Sequence, residues 1–246
     1  MKLNCDLGES FGAWHMPVDG DIMQYIDQAN IACGFHAGDP LVMRKAVALA
    51  KAAGVATGAH PSYPDLQGFG RRSMKMADDE LTACLQYQIA ALTGIARIQQ
   101  VEVSYVKPHG ALYNDLMQDR ALRQTVMKAV AEAGQGTLSL MIQAHPDSDK
   151  LIAEAEVYGL QLQFEAFADR RYTDDGYLMS RQHAGAVLNH EQATAQVQGL
   201  LEHGTIITSG GKTLTLQVDT LCVHGDSPGA VAMAKSFREM LNHATL

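Results

Sequence analysis

The chain has 246 residues, of which 47% are hydrophobic, and it carries a formal net charge of −8 at neutral pH. This length and apolar content suffice for one large α/β domain, and the acidity argues against a nucleic-acid surface. The N-terminus, MKLNCDLGES, has no apolar signal segment, and no long apolar run follows it. We therefore expect a cytoplasmic protein that binds neither nucleic acid nor a membrane.

Short apolar runs alternate with helical patterns along the chain, as expected for βα units around a parallel sheet. The clearest helix start is Asp39-Pro40, an N-cap followed by Pro at the first helical position, and Gly54 marks the end of that helix. The predicted strands are 2–6, 29–33, 55–59, 103–107, 138–143, 160–165 and 220–224. The predicted helices are 40–53, 77–100, 119–133, 150–158, 191–202 and 229–242.

The count of about seven βα units favours a seven-stranded (β/α) barrel related to the TIM barrel, in one domain over residues 1–246. An open doubly wound sheet is the alternative, because the sequence does not show whether the sheet closes. Residues 206–217 carry Ser209-Gly210-Gly211 between apolar residues and predict a hairpin insertion. No dinucleotide fingerprint follows the first strand, and Gly210-Gly211-Lys212-Thr213 matches only the tail of a phosphate-binding loop.

Polar residues collect after the predicted strands, where the loops of a parallel α/β fold form active sites. Four of the ten histidines, His36, His60, His109 and His224, occupy such positions beside Gly or Pro. One such histidine is more often structural, but four of them together with ionisable neighbours indicate a catalytic pocket. The candidate catalytic residues are Asp6, Glu9, His36, His60, Lys107, His109, Glu165, His224 and Asp226.

The chemistry of this pocket stays open at the level of sequence. Histidines and carboxylates can hold a metal ion that activates water, or they can act as general acid and base without one. No closely spaced histidine pair is present, so a metal site would need residues far apart in the chain. Ser62 lies outside any nucleophile elbow. The four cysteines form no C-x-x-C pair, and Cys5, Cys33 and Cys222 are expected to be small buried side chains near strand ends.

Seven motifs resemble the family of 5-oxoprolinase A subunits, also called the LamB/YcsF family. They run in order from residue 4 to residue 226, so the resemblance covers nearly the whole chain. The longest is specific enough to carry the comparison by itself, whereas His145-Pro146 is not a recognised feature of the family. The motifs are NCDLGESFG, ANIACGFHAGD, GAHPSYPD, GFGRR, VKPHGALYN, EAFADRRY and CVHGD.

The resemblance implies a glycoside hydrolase/deacetylase-like seven-stranded barrel and the ATP-dependent opening of the 5-oxoproline lactam to L-glutamate. It implies ATP, with magnesium, as co-substrate and two partner subunits, B and C. By position in the motifs it adds Asn114 and Arg170, which we assign to substrate binding, to the nine candidate catalytic residues. Whether the pocket also holds a catalytic metal is left open by the resemblance.

From these residues we expect Asp6 or Glu9, with His60, to position and deprotonate water. Lys107 and Arg170 would hold a carboxylate or phosphate of the substrate. Two other functions compete with this one. The first is a stand-alone metal-dependent deacetylase or amidase of the same fold. The second is a non-catalytic carbohydrate-binding or regulatory subunit, which would leave the ionisable cluster unused and lacks aromatic residues for a binding groove.

Overall fold

A closed barrel of parallel strands forms the centre of the computed structural model, which describes residues 1–16, 19–223 and 229–244. The order around the barrel follows the chain, and the last strand closes it by pairing with both the sixth and the first. The strands are β1 (Lys2–Leu7), β2 (Gln28–Ala32), β3 (Ala56–His60), β4 (Val103–Val106), β5 (Ser139–Gln143), β6 (Gln161–Phe167), β7 (Thr205–Ile207), β8 (Thr213–Thr215) and β9 (Thr220–Val223). The predicted barrel is confirmed, and the open sheet is wrong. β7 and β8 form the predicted hairpin outside the barrel.

Helices pack around the barrel between successive strands. The predicted cap is present, since the Asp39 side chain accepts hydrogen bonds of 2.9 Å from the amides of Leu41 and Val42, and Gly54 ends the helix in a left-handed conformation. A 3₁₀ turn follows the first helix. The helices are α1 (Asp19–Ile22), α2 (Pro40–Ala53), α3 (Asp78–Ile98), α4 (Gly110–Gln118), α5 (Arg120–Gly134), α6 (Ser148–Glu156), α7 (His190–His203) and α8 (Ala230–Ala244).

Two differences from the sequence prediction affect the site. The sequence predicted one helix from residue 119, but α4 precedes it, and Asp119 both ends α4 and caps α5. The Pro and Gly around His109 suggested a turn, whereas His109 directly precedes the first residue of α4. In addition, β6 extends to Phe167, so Glu165 lies within the strand instead of at its end.

The barrel interior is polar near its carboxyl end. Asn4 and Asp6 alternate with apolar neighbours on β1, which directs both side chains inward. Tyr105 lies across β3 at Gly58, where a Cβ atom would come within 2.2 Å of the tyrosine ring. Its hydroxyl donates to the Asn30 side chain over 2.7 Å. Among the described residues, no helix is both long and apolar enough to cross a membrane.

Candidate active site

The candidate residues meet at the carboxyl end of the barrel, around a cavity of about 370 Å³. Six of them line it: Asp6, His60, Lys107, His109, Asn114 and Arg170. Three others lie behind the lining, in contact with residues that form it: Glu9, His36 and Glu165. The two remaining candidates, His224 and Asp226, lie outside the described residues.

Lys107 follows β4 and is held between two carboxylates. Its ammonium group lies 2.8 Å from Asp6 Oδ1 and 2.7 Å from Glu165 Oε1, and only 2% of the residue is exposed. Burial by itself would lower the pKa of Lys107, but the neighbouring carboxylates outweigh burial and raise this pKa well above its ordinary value. Lys107 is therefore a fixed positive charge at the floor of the cavity.

A hydrogen-bond network inside the barrel orients these charges. Asn30 donates to Asn4 Oδ1 and to Asp6 Oδ1, each over 2.8 Å, and Asn4 donates to Thr220 over 2.9 Å. Tyr113, on the first turn of α4, donates to Glu165 Oε2 over 2.6 Å. Burial and this carboxylate raise the pKa of Tyr113 well above its ordinary value, so the phenol remains a donor.

The rings of His60 and His109 contact each other through one nitrogen each. His60 Nδ1 lies 2.7 Å from the carbonyl oxygen of Lys107, and His109 Nε2 lies 2.9 Å from that of Phe69. A carbonyl oxygen only accepts, so both of these nitrogens carry protons. The other two nitrogens, His60 Nε2 and His109 Nδ1, lie 2.9 Å apart, at hydrogen-bonding distance. Asp6 Oδ2 is 3.3 Å from the same His60 nitrogen.

His36 and Glu9 complete the cluster behind these two rings. The His36 ring stacks on His109 with centroids 3.7 Å apart, and its Nε2 lies 3.3 Å from Glu9 Oε1. Neither ring nitrogen of His36 makes a hydrogen bond to any residue that the structure describes. Burial lowers the pKa of His36 and of His109 well below ordinary values, so both are neutral. Glu9, His36, His60 and His109 offer ligand atoms within 4.8 Å of one another and could hold a metal ion.

The loop after β3 keeps these rings in place. Asp65 accepts hydrogen bonds from the amides of Gly68 and Arg72, and its own carbonyl accepts from Gly70. Phe69 and Gly70 both adopt left-handed conformations, with φ of 55° and 64°. A Cβ atom at residue 70 would lie 2.7 Å from His109 Cδ2, so only glycine fits.

Arginines form another part of the cavity wall. Arg170 donates to the carbonyl oxygen of Met179 over 2.6 Å, and Arg71 and Arg181 also line the cavity. Burial, with a smaller contribution from Arg181, lowers the pKa of Arg170 to about 10, so it is cationic at neutral pH. Asn114 is exposed on α4 and donates to the Gly110 carbonyl oxygen. This wall suits an anionic group.

Sequence reasoning missed several residues of this site. Asn4 and Asn30 stand in otherwise apolar strands, and buried amides need partners, so the strand alternation already signalled a polar interior. Tyr113 was missed because α4 was not predicted. Arg71 lies in the GFGRR motif but was not selected as a candidate, and no pattern signalled Arg181. The two side chains reach the cavity from separate loops.

Other candidates considered from sequence have ordinary structural contacts. Ser62 is buried and donates to the Tyr63 carbonyl oxygen over 2.7 Å. His145 Nε2 lies 3.0 Å from the Asp175 carbonyl oxygen, and its Nδ1 accepts from the amide of Asp147. The cysteines Cys5, Cys33, Cys84 and Cys222 are buried free thiols, and burial was predicted for all of them except Cys84.

Fold and cavity together define a parallel (β/α) barrel protein with an ionisable site at the carboxyl ends of its strands. The LamB/YcsF family model matches residues 1–246. The chain belongs to the LamB/YcsF family.

Relatives and one solved structure agree with this membership. The 5-oxoprolinase A subunit of Pseudomonas fluorescens is 52% identical over 244 residues, which cover 98% of this chain and 97% of the relative. The protein of the same name from Vibrio campbellii is 48% identical over 242 residues, covering 98% and 95%. The crystal structure of the "Lactam Utilization Protein" from Thermus thermophilus has a TM-score of 0.90 at 37% identity, over 100% of this chain and 97% of that chain.

Proposed function

We propose that this chain is the A subunit of an ATP-dependent 5-oxoprolinase that hydrolyses the lactam amide of 5-oxo-L-proline to L-glutamate. One observation carries the proposal: a cavity with carboxylates, histidines and arginines lies in a chain about half identical, over nearly its whole length, to proteins named as A subunits of 5-oxoprolinase. The carboxylates and histidines serve amide hydrolysis, and the arginines match the negative charge of the substrate.

Water activation is assigned to Asp6 and His60. Asp6 Oδ1 is occupied by Lys107 and Asn30, so Oδ2 is the oxygen directed at His60 Nε2, 3.3 Å away. A water molecule bound by these two atoms would lose its proton to the Asp6 carboxylate as it attacks the carbonyl carbon. Glu9, the other carboxylate considered from sequence, lies behind the histidines and does not line the cavity.

Substrate recognition is assigned to the arginine wall. Arg170, with Arg71 and Arg181, would hold the substrate carboxylate or a phosphate, and Asn114 would contact the substrate from the rim. Lys107 was expected to share this role. Its ion pairs with Asp6 and Glu165 make it better suited to orienting Asp6 than to binding the substrate.

The chemistry of the substrate explains why the proposed reaction needs ATP. A five-membered lactam is an unstrained amide with a poor leaving group, and phosphorylation of its oxygen would create an electrophile that water can attack. The chain has no phosphate-binding loop motif. Residues 210–212 lie in the β7–β8 hairpin turn, where Asp174 accepts a hydrogen bond from the Gly210 amide, and Thr213 begins β8. We therefore propose that subunits B and C, with ATP and magnesium, activate the substrate.

One observation supports the alternative of a stand-alone metal-dependent amidase or deacetylase. The side chains of Glu9, His36, His60 and His109 lie close enough together to hold a metal ion. The two functions differ in their need for ATP and for partners. Under the alternative, the isolated chain with a bound metal would hydrolyse simple amides or acetyl groups without ATP.

Reconstitution separates these functions. Glutamate release from 5-oxoproline would be measured for this chain alone, for the B and C subunits alone, and for all three, each with and without ATP and magnesium. We expect turnover only with all three subunits and ATP. Full ATP-dependent turnover by the isolated chain would contradict the division of labour, and ATP-independent amide hydrolysis by the isolated chain would favour the alternative.

A further inference from the structure

Four residues at the inner wall of the cavity form a cluster of possible ligands for a cation. His60 Nε2 and His109 Nδ1 lie 2.9 Å apart, and the other nitrogen of each ring faces a backbone carbonyl oxygen. His36 adds two buried ring nitrogens without a hydrogen bond among the described residues, which is costly in a buried site.

The distances among the four residues match a small coordination sphere. A tetrahedral zinc ion with bonds of about 2.0 Å has ligand atoms about 3.3 Å apart. His36 Nε2 is 3.3 Å from Glu9 Oε1, His109 Nδ1 is 3.6 Å from Glu9 Oε1, and His60 Nε2 is 2.9 Å from His109 Nδ1. All ligand atoms lie within 4.8 Å of one another, so the more distant pairs would have to approach by up to about 1.5 Å on metal binding.

Further contacts hold the ligands as metal sites require. The carbonyl oxygens of Lys107 and Phe69 fix the tautomers of His60 and His109, which is what the outer hydrogen-bond partners of metal-binding histidines usually do. His36 and His109 stack with nearly parallel rings, so one of the two rings would have to rotate for both to bind the same ion. His60 and His109 also line the cavity, which gives an ion a path from solvent.

We propose that Glu9, His36, His60 and His109 bind one divalent late transition ion, of which Zn²⁺ is the best match. Three imidazole nitrogens and one carboxylate suit zinc and its neighbours, whereas magnesium and calcium prefer oxygen ligands. A bound ion supplies positive charge at the inner wall of the cavity. Asp6 is outside this ligand set and keeps its role as proton acceptor, whereas His60 Nε2 has one lone pair and would bind the ion in place of the water molecule. The inference goes beyond the proposed function, and its test needs no substrate.

Metal binding can be measured without any substrate. The purified chain would be stripped with a chelator and titrated by calorimetry with ZnCl₂, CoCl₂ and MgCl₂, and the cobalt form would be recorded by visible absorption. We expect one Zn²⁺ or Co²⁺ per chain, tetrahedral cobalt bands and no magnesium binding at this site. No stoichiometric zinc binding, or equally tight binding of magnesium, would overturn the proposal.

Variants locate the ion within the chain. His36→Gln should weaken zinc binding by more than the roughly 10- to 100-fold that loss of an outer-shell partner costs. His145→Gln is the matched control, because His145 is a buried histidine outside the cluster, and it should bind zinc like the unmodified chain. Should His36→Gln fail to fold, the isosteric Glu9→Gln decides the question. Unchanged zinc affinity in a folded His36→Gln or Glu9→Gln chain would refute the ligand set.

Discussion

Two buried ionic clusters in this protein resemble each other in composition and differ in what surrounds them. In the helical layer, Arg123 donates to Glu154 over 2.8 Å and to the carbonyl oxygens of Leu116 and Met117 at the end of α4. Arg120 Nε lies 2.9 Å from the other carboxylate oxygen of Glu154. These hydrogen bonds and ion pairs link α4, α5 and α6 to one another, so this cluster is structural.

The cluster at the barrel centre is different because its ionisable side chains contact further ionisable side chains. Lys107 neutralises Asp6 and Glu165, but Asp6 also faces His60, and His60 faces His109. These contacts reach a cavity that His60 and His109 line, and the outer nitrogens of the two rings face backbone carbonyl oxygens. The comparison shows that a buried charge alone does not mark a functional site. A cluster of buried ionisable side chains beside a cavity is the better indication.

The largest effect on stability and turnover is expected when the ammonium group of Lys107 is removed. Lys107→Met leaves two buried carboxylates without their ammonium partner, which should lower the free energy of unfolding by about 3–5 kcal/mol and abolish turnover. Urea denaturation measures the first and reconstituted turnover the second. Lys128→Met, which removes an exposed lysine on α5, is the control and should change stability by less than about 0.5 kcal/mol. A loss below about 1 kcal/mol in Lys107→Met would contradict the ionic assignment.

Changes at the proposed water site should affect rate more than stability. Asp6→Asn removes the proton acceptor and His60→Ala removes its partner, so each should lower turnover of the assembled complex by roughly 10²–10⁴. Melting temperatures of the same preparations separate this result from a structural role. A large fall in melting temperature with a modest loss of rate per folded molecule would show that His60 is structural. Near-normal turnover of both variants would exclude the pair.

Two buried arginines test the comparison directly. Arg170→Met removes a charged donor from the cavity wall and should raise KM for 5-oxoproline roughly 10- to 100-fold. Arg123→Met should leave KM unchanged and lower the free energy of unfolding by about 1–3 kcal/mol, because it removes bonds to Glu154 and to two backbone carbonyl oxygens. If both variants changed KM equally, the two clusters would not differ in function.

The smallest expected effect is the pH dependence of the structural cluster. Burial raises the pKa of Glu154, but the hydrogen bond and charge of Arg123, with Arg120, outweigh burial and lower this pKa from its ordinary value of 4.5. A depressed pKa contributes stability above the unfolded value and loses it as pH falls through the folded value. The stability difference between the unmodified chain and Arg123→Met should therefore shrink below about pH 4.5 in urea titrations. A constant difference at lower pH would mean that Glu154 contributes no such linkage.

Local features of the sequence were enough to place most of the site, because strand periodicity and turn residues are local signals. They put Asp6, His60 and Lys107 at strand ends, where the structure has them. Local signals did not predict which side chains from different strands contact each other. The approach of His60 to His109, which are 49 residues apart, depends on the register between β3 and β4 and on the loop that carries Gly70.

The two walls of the cavity differ in how much sequence change they can accept. At residue 70 there is no room even for a methyl group, so the part of the wall that contains His109 is fixed in shape. Another part contains Ser180, Arg181 and Gln182 on a segment outside the barrel strands, where side chains project from a turn. Changes in substrate range, by natural divergence or by directed evolution, would therefore accumulate in residues 179–182 while residues 68–70 stay constant.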